Sequence, residues 1–174
     1  AIIASWNINS VRIRVDILKK FIEEIKPDIF LLQEIKCTNE EFPDFYTSFG
    51  YELIVNGQKG KYGVATLLKK GLNFTSIELD NEILLCESRT NFIYVNEYNL
   101  NILNVYTPNG NPIEDKNKFN FKIEWLSEIK KISTQFINNV DNLLIAGDFN
   151  VLENKKDVLN FDDWTNDALG CIES

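Results

Sequence analysis

The first apolar run, IIASWNIN at residues 2–9, reads as a buried strand. In the following SVRIRVDILKKFIEEIKP, Val15, Leu18, Ile22 and Ile25 recur at helical spacing; Ser10 is placed to cap this helix and Pro27 to stop it. DIFLLQE at 28–34 predicts a second buried strand, and strand, helix and strand within roughly thirty residues form a βαβ-like unit. Residues 38–51 are mixed, with short helical or turn character. Beyond Glu52 the pattern predicts short strands at 53–56, 63–69, 74–79, 83–87, 91–96 and 101–106, separated by turns rich in Asn, Gly and Asp. Residues 113–140 predict one long helix with Trp125, Ile129, Ile132 and Phe136 as its apolar stripe. A strand follows at 143–147, and the remainder is loop-like. No repeat, low-complexity tract or linker divides the chain, so residues 1–174 are expected to be one domain or part of one.

Composition narrows the chemistry. The 174 residues are 44% hydrophobic and 25% charged, as in an ordinary soluble domain with a real core. No apolar run approaches a membrane span, and the first residues lack the pattern of a signal peptide. Cys37, Cys86 and Cys171 are far apart and odd in number, so neither a disulfide framework nor a zinc site is expected, and a reduced, cytoplasmic setting fits best. The chain has no histidine, which excludes Ser-His-Asp and Cys-His catalysis and leaves a hard, oxygen-liganded ion, Mg²⁺ or Mn²⁺, as the expected metal. The formal net charge of −8 argues against a nucleic-acid partner, although local patches or a bound cation can reverse the local sign. The absence of methionine, including an initiator, suggests a fragment of a longer protein.

Four predicted strands end on polar groups: SWNIN on Asn7, LLQE on Glu34, NVYTPNG on Tyr106, and LLIAGDFN on Asp148 and Asn150. Neighbouring strands that end at one sheet edge would bring these groups together, and ligand sites in α/β proteins lie outside such ends. A carboxylate and an amide oxygen can hold a hard cation, a second carboxylate can orient a water, and phenol or amide groups can stabilise developing charge. Each residue also has an ordinary reading. Asp148 can cap a turn, Glu34 can pair with a surface lysine, Asn7 can be a satisfied buried amide, and Tyr106 can be a core ring.

In this order and spacing, SWNINSVR, LLQEIKC, NVYTPNG and IAGDFNV resemble the exonuclease III family of apurinic/apyrimidinic (AP) endonucleases, within the endonuclease/exonuclease/phosphatase superfamily. GQKGKYGVATLLKK and FKIEWL fit as well, so the resemblance covers essentially the whole chain. It implies an α/β fold, a four-layer α-β-β-α sandwich. It also implies a DNA phosphodiesterase cutting 5′ to an abasic site, with 3′–5′ exonuclease or 3′-phosphatase activity, on double-stranded DNA carrying abasic sites or 3′ ends. By position, Asn7 and Glu34 would hold the metal, Tyr106 would contact the phosphate, Asp148 would prepare the water or protonate the leaving group, and Asn150 would bind metal or stabilise the transition state. Arg12, Gln58, Lys59 and Lys61 are candidates for DNA backbone contact, with a Gly-rich hairpin carrying solvated lysines as the alternative.

The later family motifs, including a terminal Ser-Asp-His, are absent, so the resemblance implies an incomplete sandwich and an inactive fragment of a monomeric parent. The inner sheet face is then expected to lack a partner, at a cost on the order of 10 kcal/mol. A basic face would have to be built from Arg12, Arg14, Lys59, Lys61 and Arg89. The alternatives are another phosphodiesterase or phosphatase of the superfamily, acting on lipid or inositol phosphates, and a non-catalytic remnant that binds without turnover.

Overall fold

The computed structural model describes residues 1–139, 141–164 and 167–170. Residue 140, at the end of the predicted long helix, and Cys171 lie outside them. Two four-stranded sheets form the centre. In the first, β1 (Ile3–Asn7), β2 (Ile29–Gln33), β3 (Tyr51–Asn56) and β4 (Val64–Lys69) lie in the order β1-β2-β4-β3. In the second, β5 (Phe74–Ser76), β6 (Thr90–Val95), β7 (Leu100–Tyr106) and β8 (Leu143–Asp148) lie in sequence order. Among the described strands, β1–β2 and β7–β8 pair in parallel and the other neighbours are antiparallel.

The alternation of β2 explains the layering. Phe30 and Leu32 face α1 (Val15–Ile25), where they pack with Leu18 and Ile22. Ile29 and Leu31 face the second sheet, where they meet Ile93, Val95 and Ile102. On the far side, Phe92, Leu103 and Val105 pack against Trp125 and Ile129 of α4 (Lys116–Asn139). These three apolar interfaces make helix, sheet, sheet, helix, the α-β-β-α arrangement the resemblance implied. Ile132 and Phe136 extend the α4 stripe as expected. No described helix is long and apolar enough to cross a membrane.

Several expectations need correction. The inner face of the first sheet is not bare, because β5–β8 of this chain form the second sheet over it and fill the space between with apolar side chains. Residues 83–87 are not a strand. After the single turn α2 (Phe45–Ser48), they form the turn α3 (Glu82–Leu85), which runs into a 3₁₀ turn at Cys86–Ser88. Asn81 caps α3 by accepting from the Leu84 N–H at 3.0 Å, and Leu84 enters the α4 core. A short apolar run suits either element, and the cap decides it. β5 stops at Ser76. Ser10 does not cap α1: the cap position is Arg14, with no side-chain cap bond, while the Ser10 N–H donates to the Glu34 carbonyl at 2.7 Å. Ile25 is 43% exposed, so the buried stripe of α1 ends at Ile22.

Candidate active site

Parallel pairing puts strand ends side by side. Asn7 on β1 lies opposite Gln33 on β2, and Tyr106 on β7 lies opposite Asp148 on β8. Just beyond, Glu34 and Asn150 both adopt left-handed backbone, with φ of 53° and 48°, which turns the chain away at the rim. Gly147 is the position that lets β8 approach β7: a Cβ there would lie 1.9 Å from the Val105 carbonyl oxygen.

The predicted residues converge across the two sheets. The Asn7 amide nitrogen donates to Glu34 Oε1 at 2.8 Å and to Asp148 Oδ2 at 2.7 Å. Asn7 Oδ1 accepts from the Asn9 N–H at 3.1 Å, which sets the amide's orientation. Asp148 Oδ1 accepts from the Asn150 N–H at 2.9 Å, and the Asn150 side-chain nitrogen donates to the Thr107 carbonyl at 2.7 Å. Tyr106 donates its hydroxyl to Glu34.

Burial by itself would raise the Glu34 carboxyl. Hydrogen bonds from Asn7, Lys36 and Tyr106, with the Lys36 charge, outweigh it and hold the group below its ordinary value. The Lys36 ammonium pairs with Glu34 Oε2 at 3.0 Å and donates to Asn9 Oδ1 at 2.5 Å. Burial, then the neighbouring Glu34 charge and hydrogen bond, pushes the Tyr106 phenol well above its usual range, so it stays a neutral donor.

The DNA-contact candidates lie around this rim without joining it. Arg12 donates to the Lys36 carbonyl at 3.3 Å and pairs with Glu41 at 3.5 Å. Gln58, Lys59 and Lys61 sit on the loop between β3 and β4, with both lysines exposed. Lys61 lies 5.0 Å above the Tyr62 ring. Arg89 does not belong to a basic face. It is 4% exposed, its guanidinium packs over both the Tyr62 and Tyr106 rings, 4.1 and 4.7 Å from their centroids, and Glu87 pairs with it at 2.7 Å. A cavity of about 230 Å³ opens beside this stack, lined by Tyr62, Tyr106, Asn109, Lys118 and Phe121 among others.

Lys122 is the residue that pattern reading passed over. It is 2% exposed, and its ammonium donates to the carbonyls of Asn109, Asn150 and Ala168 at 3.3, 2.6 and 2.7 Å. Burial pushes it below its ordinary value, while Asp167 and Asp148 pull it back up. Its signal was present: residue 122 continues the 125/129/132/136 stripe one turn towards the N-terminus.

The donor set can be weighed against a hard cation. Among the described residues, no group of three or more His, Cys, Asp or Glu side chains is placed to hold a metal. Two carboxylates, Glu34 and Asp148, nevertheless point at a single spot, now bridged by the Asn7 amide. One or two carboxylates with amide oxygens suit a Mg²⁺-like ion that keeps several waters. The residues fit such an ion.

The family model described as the Endonuclease/Exonuclease/phosphatase family matches residues 4–169. The chain belongs to the endonuclease/exonuclease/phosphatase family. Within that family it is similar to an exodeoxyribonuclease III of Haemophilus influenzae, 30% identical over 162 residues, covering 88% of this chain and 59% of the relative. The solved AP endonuclease of Archaeoglobus fulgidus superposes with a TM-score of 0.86 at 29% identity, over 98% of this chain and 65% of that one. A 3′ phosphatase from Neisseria bound to a product DNA hairpin superposes with a TM-score of 0.79 at 25% identity, over 97% of this chain and 65% of that one. The chain thus spans about three fifths of the curated relative's length. These similarities bear out both the exonuclease III resemblance and the fold it implied.

Proposed function

We propose that this family member is part of a Mg²⁺- or Mn²⁺-dependent DNA phosphodiesterase of base excision repair. It would cut 5′ to abasic sites and remove nucleotides or phosphate from 3′ ends, as a cytoplasmic monomer. The observation that carries the reading is the Asn7 amide, which donates to Glu34 from one sheet and Asp148 from the other. Two carboxylates aimed at one point on a strand-end rim suit a bound cation and a phosphate diester. Similarity to an exodeoxyribonuclease, an AP endonuclease and a DNA-bound 3′ phosphatase supports a DNA substrate.

Glu34 and Asp148 would hold the ion, with Asn7 and Asn150 offering amide oxygens if their side chains turn from their present partners. The bound ion would neutralise charge on the phosphoryl oxygens. Tyr106, kept neutral by its surroundings, would donate its hydroxyl to the phosphate. Asp148, gripped by the Asn7 and Asn150 N–H groups, would orient the water or pass a proton to the leaving oxygen. Arg12, Gln58, Lys59 and Lys61 would follow the backbone of the duplex.

The test is incubation with a duplex carrying one abasic site, a 3′-phosphate duplex and an inositol phosphate, with Mg²⁺ or with chelator. Metal-dependent incision or 3′-phosphate release by the whole protein, abolished by Asp148→Asn, is expected, with no turnover by residues 1–174 alone. Turnover of the inositol phosphate alone would reassign the substrate. Saturable metal and DNA binding by the whole protein without turnover of any substrate would make it a binding module.

A further inference from the structure

The packing between the two sheets changes character along the strands. Far from the rim it is apolar, with Ile29, Leu31 and Leu68 against Ile93, Val95 and Ile102. Towards the rim it becomes a set of buried amides. Gln33 Nε2 on β2 donates to Asn104 Oδ1 on β7 at 2.8 Å, and also to Ser5 Oγ on β1 at 3.2 Å. Asn104 Nδ2 donates back to the Leu32 and Ala65 carbonyls of the first sheet at 3.3 and 3.0 Å. Asn91, opposite Asn104 across β6–β7, donates to the Ile54 carbonyl at 3.1 Å. Asn104 is fully buried and Gln33 is 1% exposed.

Apolar contact is non-directional and tolerates small slips of one sheet over another. A satisfied amide pair is directional. It contributes little to net stability, because replacing both partners with apolar groups of similar shape is nearly neutral. Its position gives it another use. Gln33 directly precedes Glu34, and Asn104 lies two residues before Tyr106 on the same face of β7. The site takes Glu34 from one sheet and Tyr106 and Asp148 from the other, so its geometry depends on sheet registration.

We propose that the Gln33–Asn104 amide pair is a positioning latch that registers Glu34 against Tyr106 and Asp148, so that donors from both sheets bind one hard cation. The inference rests on the metal site proposed above. It is tested by Mn²⁺ titration of the 174-residue chain, followed by electron paramagnetic resonance of the free ion, alongside thermal melts. The wild type is compared with Gln33→Met/Asn104→Leu and with Ile93→Ala, a cavity in the apolar half of the same interface. The latch double variant should melt within a few degrees of wild type yet bind Mn²⁺ about tenfold to a hundredfold more weakly, a loss of the size seen when the support that orients metal ligands is removed. Ile93→Ala should melt lower and keep wild-type affinity. Unchanged affinity in the double variant overturns the proposal while leaving the metal site intact. So does an equal loss of affinity in Ile93→Ala, or a double variant that does not fold. No saturable Mn²⁺ binding by the wild type overturns the metal site itself, and the latch with it.

Discussion

Replacing Lys122 by methionine keeps most of the side-chain volume and removes the charge. The ammonium serves carbonyls from three separate segments: the loop after β7, the loop after β8 and the segment at Ala168. A hydrogen bond from a charged group contributes about 1.5–3 kcal/mol, and a buried carbonyl left without a donor costs about 1–3 kcal/mol. Against this, the variant no longer desolvates an ammonium, whose cost shows in the lowered proton affinity of Lys122. Breaking a buried charged network by removing one partner typically costs about 3–5 kcal/mol, and that range is the expected net loss here. At about 2–4 °C per kcal/mol for a chain of this size, the midpoint should fall by roughly 6–20 °C. The assay is the thermal melt followed by circular dichroism, with Lys122→Arg as the variant that keeps the charge and should lose less. A Lys122→Met melt within 2 °C of wild type would show that the tripod contributes nothing and that another interaction holds Asn150.

Three further outcomes follow from the same geometry. Gly147→Ala places a methyl 1.9 Å from the Val105 carbonyl, so a loss above about 3 kcal/mol, beyond ordinary overpacking, is expected in a urea titration; a small loss would mean β8 can shift freely. Burial pushes the Cys37 thiol up to about 11 from its ordinary 9, so between these pH values only the unfolded chain ionises there and stability falls as pH rises. In a Cys171→Ser background at pH 8, a thiol reagent should therefore label exposed Cys86 promptly and Cys37 only on unfolding; fast labelling of both would contradict the burial. If Arg12, Lys59 and Lys61 supply the phosphate contacts, the log–log salt slope of DNA binding should be shallow, about −3, and a slope steeper than about −6 would place the cationic surface elsewhere.

Much of this was legible in the sequence because the relevant physics is local. The β2 run is buried on both faces and reads as continuous apolar sequence, and polar residues at four strand ends flag a rim wherever parallel strands share an edge. The misses each depended on tertiary context. Residues 83–87 carry an apolar run that serves a strand or a helix equally, and the Asn81 cap decided between them. Ser10 has the chemistry of a cap, yet its backbone is committed to Glu34. Arg89 and Lys122 look like surface charges by residue type. Only the packing of Tyr62 on Tyr106, and the meeting of three carbonyls at one point, gives either of them a reason to be buried. The inner face of the first sheet was expected to lack a partner, because the resemblance implied an incomplete sandwich. Antiparallel pairing of β5, β6 and β7 instead builds most of a second sheet from local neighbours, and that sheet covers the face.

The most direct test is a crystal of this chain soaked in Mn²⁺ and measured at the manganese absorption edge. One anomalous peak, ligated by carboxylate oxygens from both Glu34 and Asp148, is the expected result. A peak held by only one of them, or none at the rim at saturating Mn²⁺, would contradict a metal site shared between the two sheets.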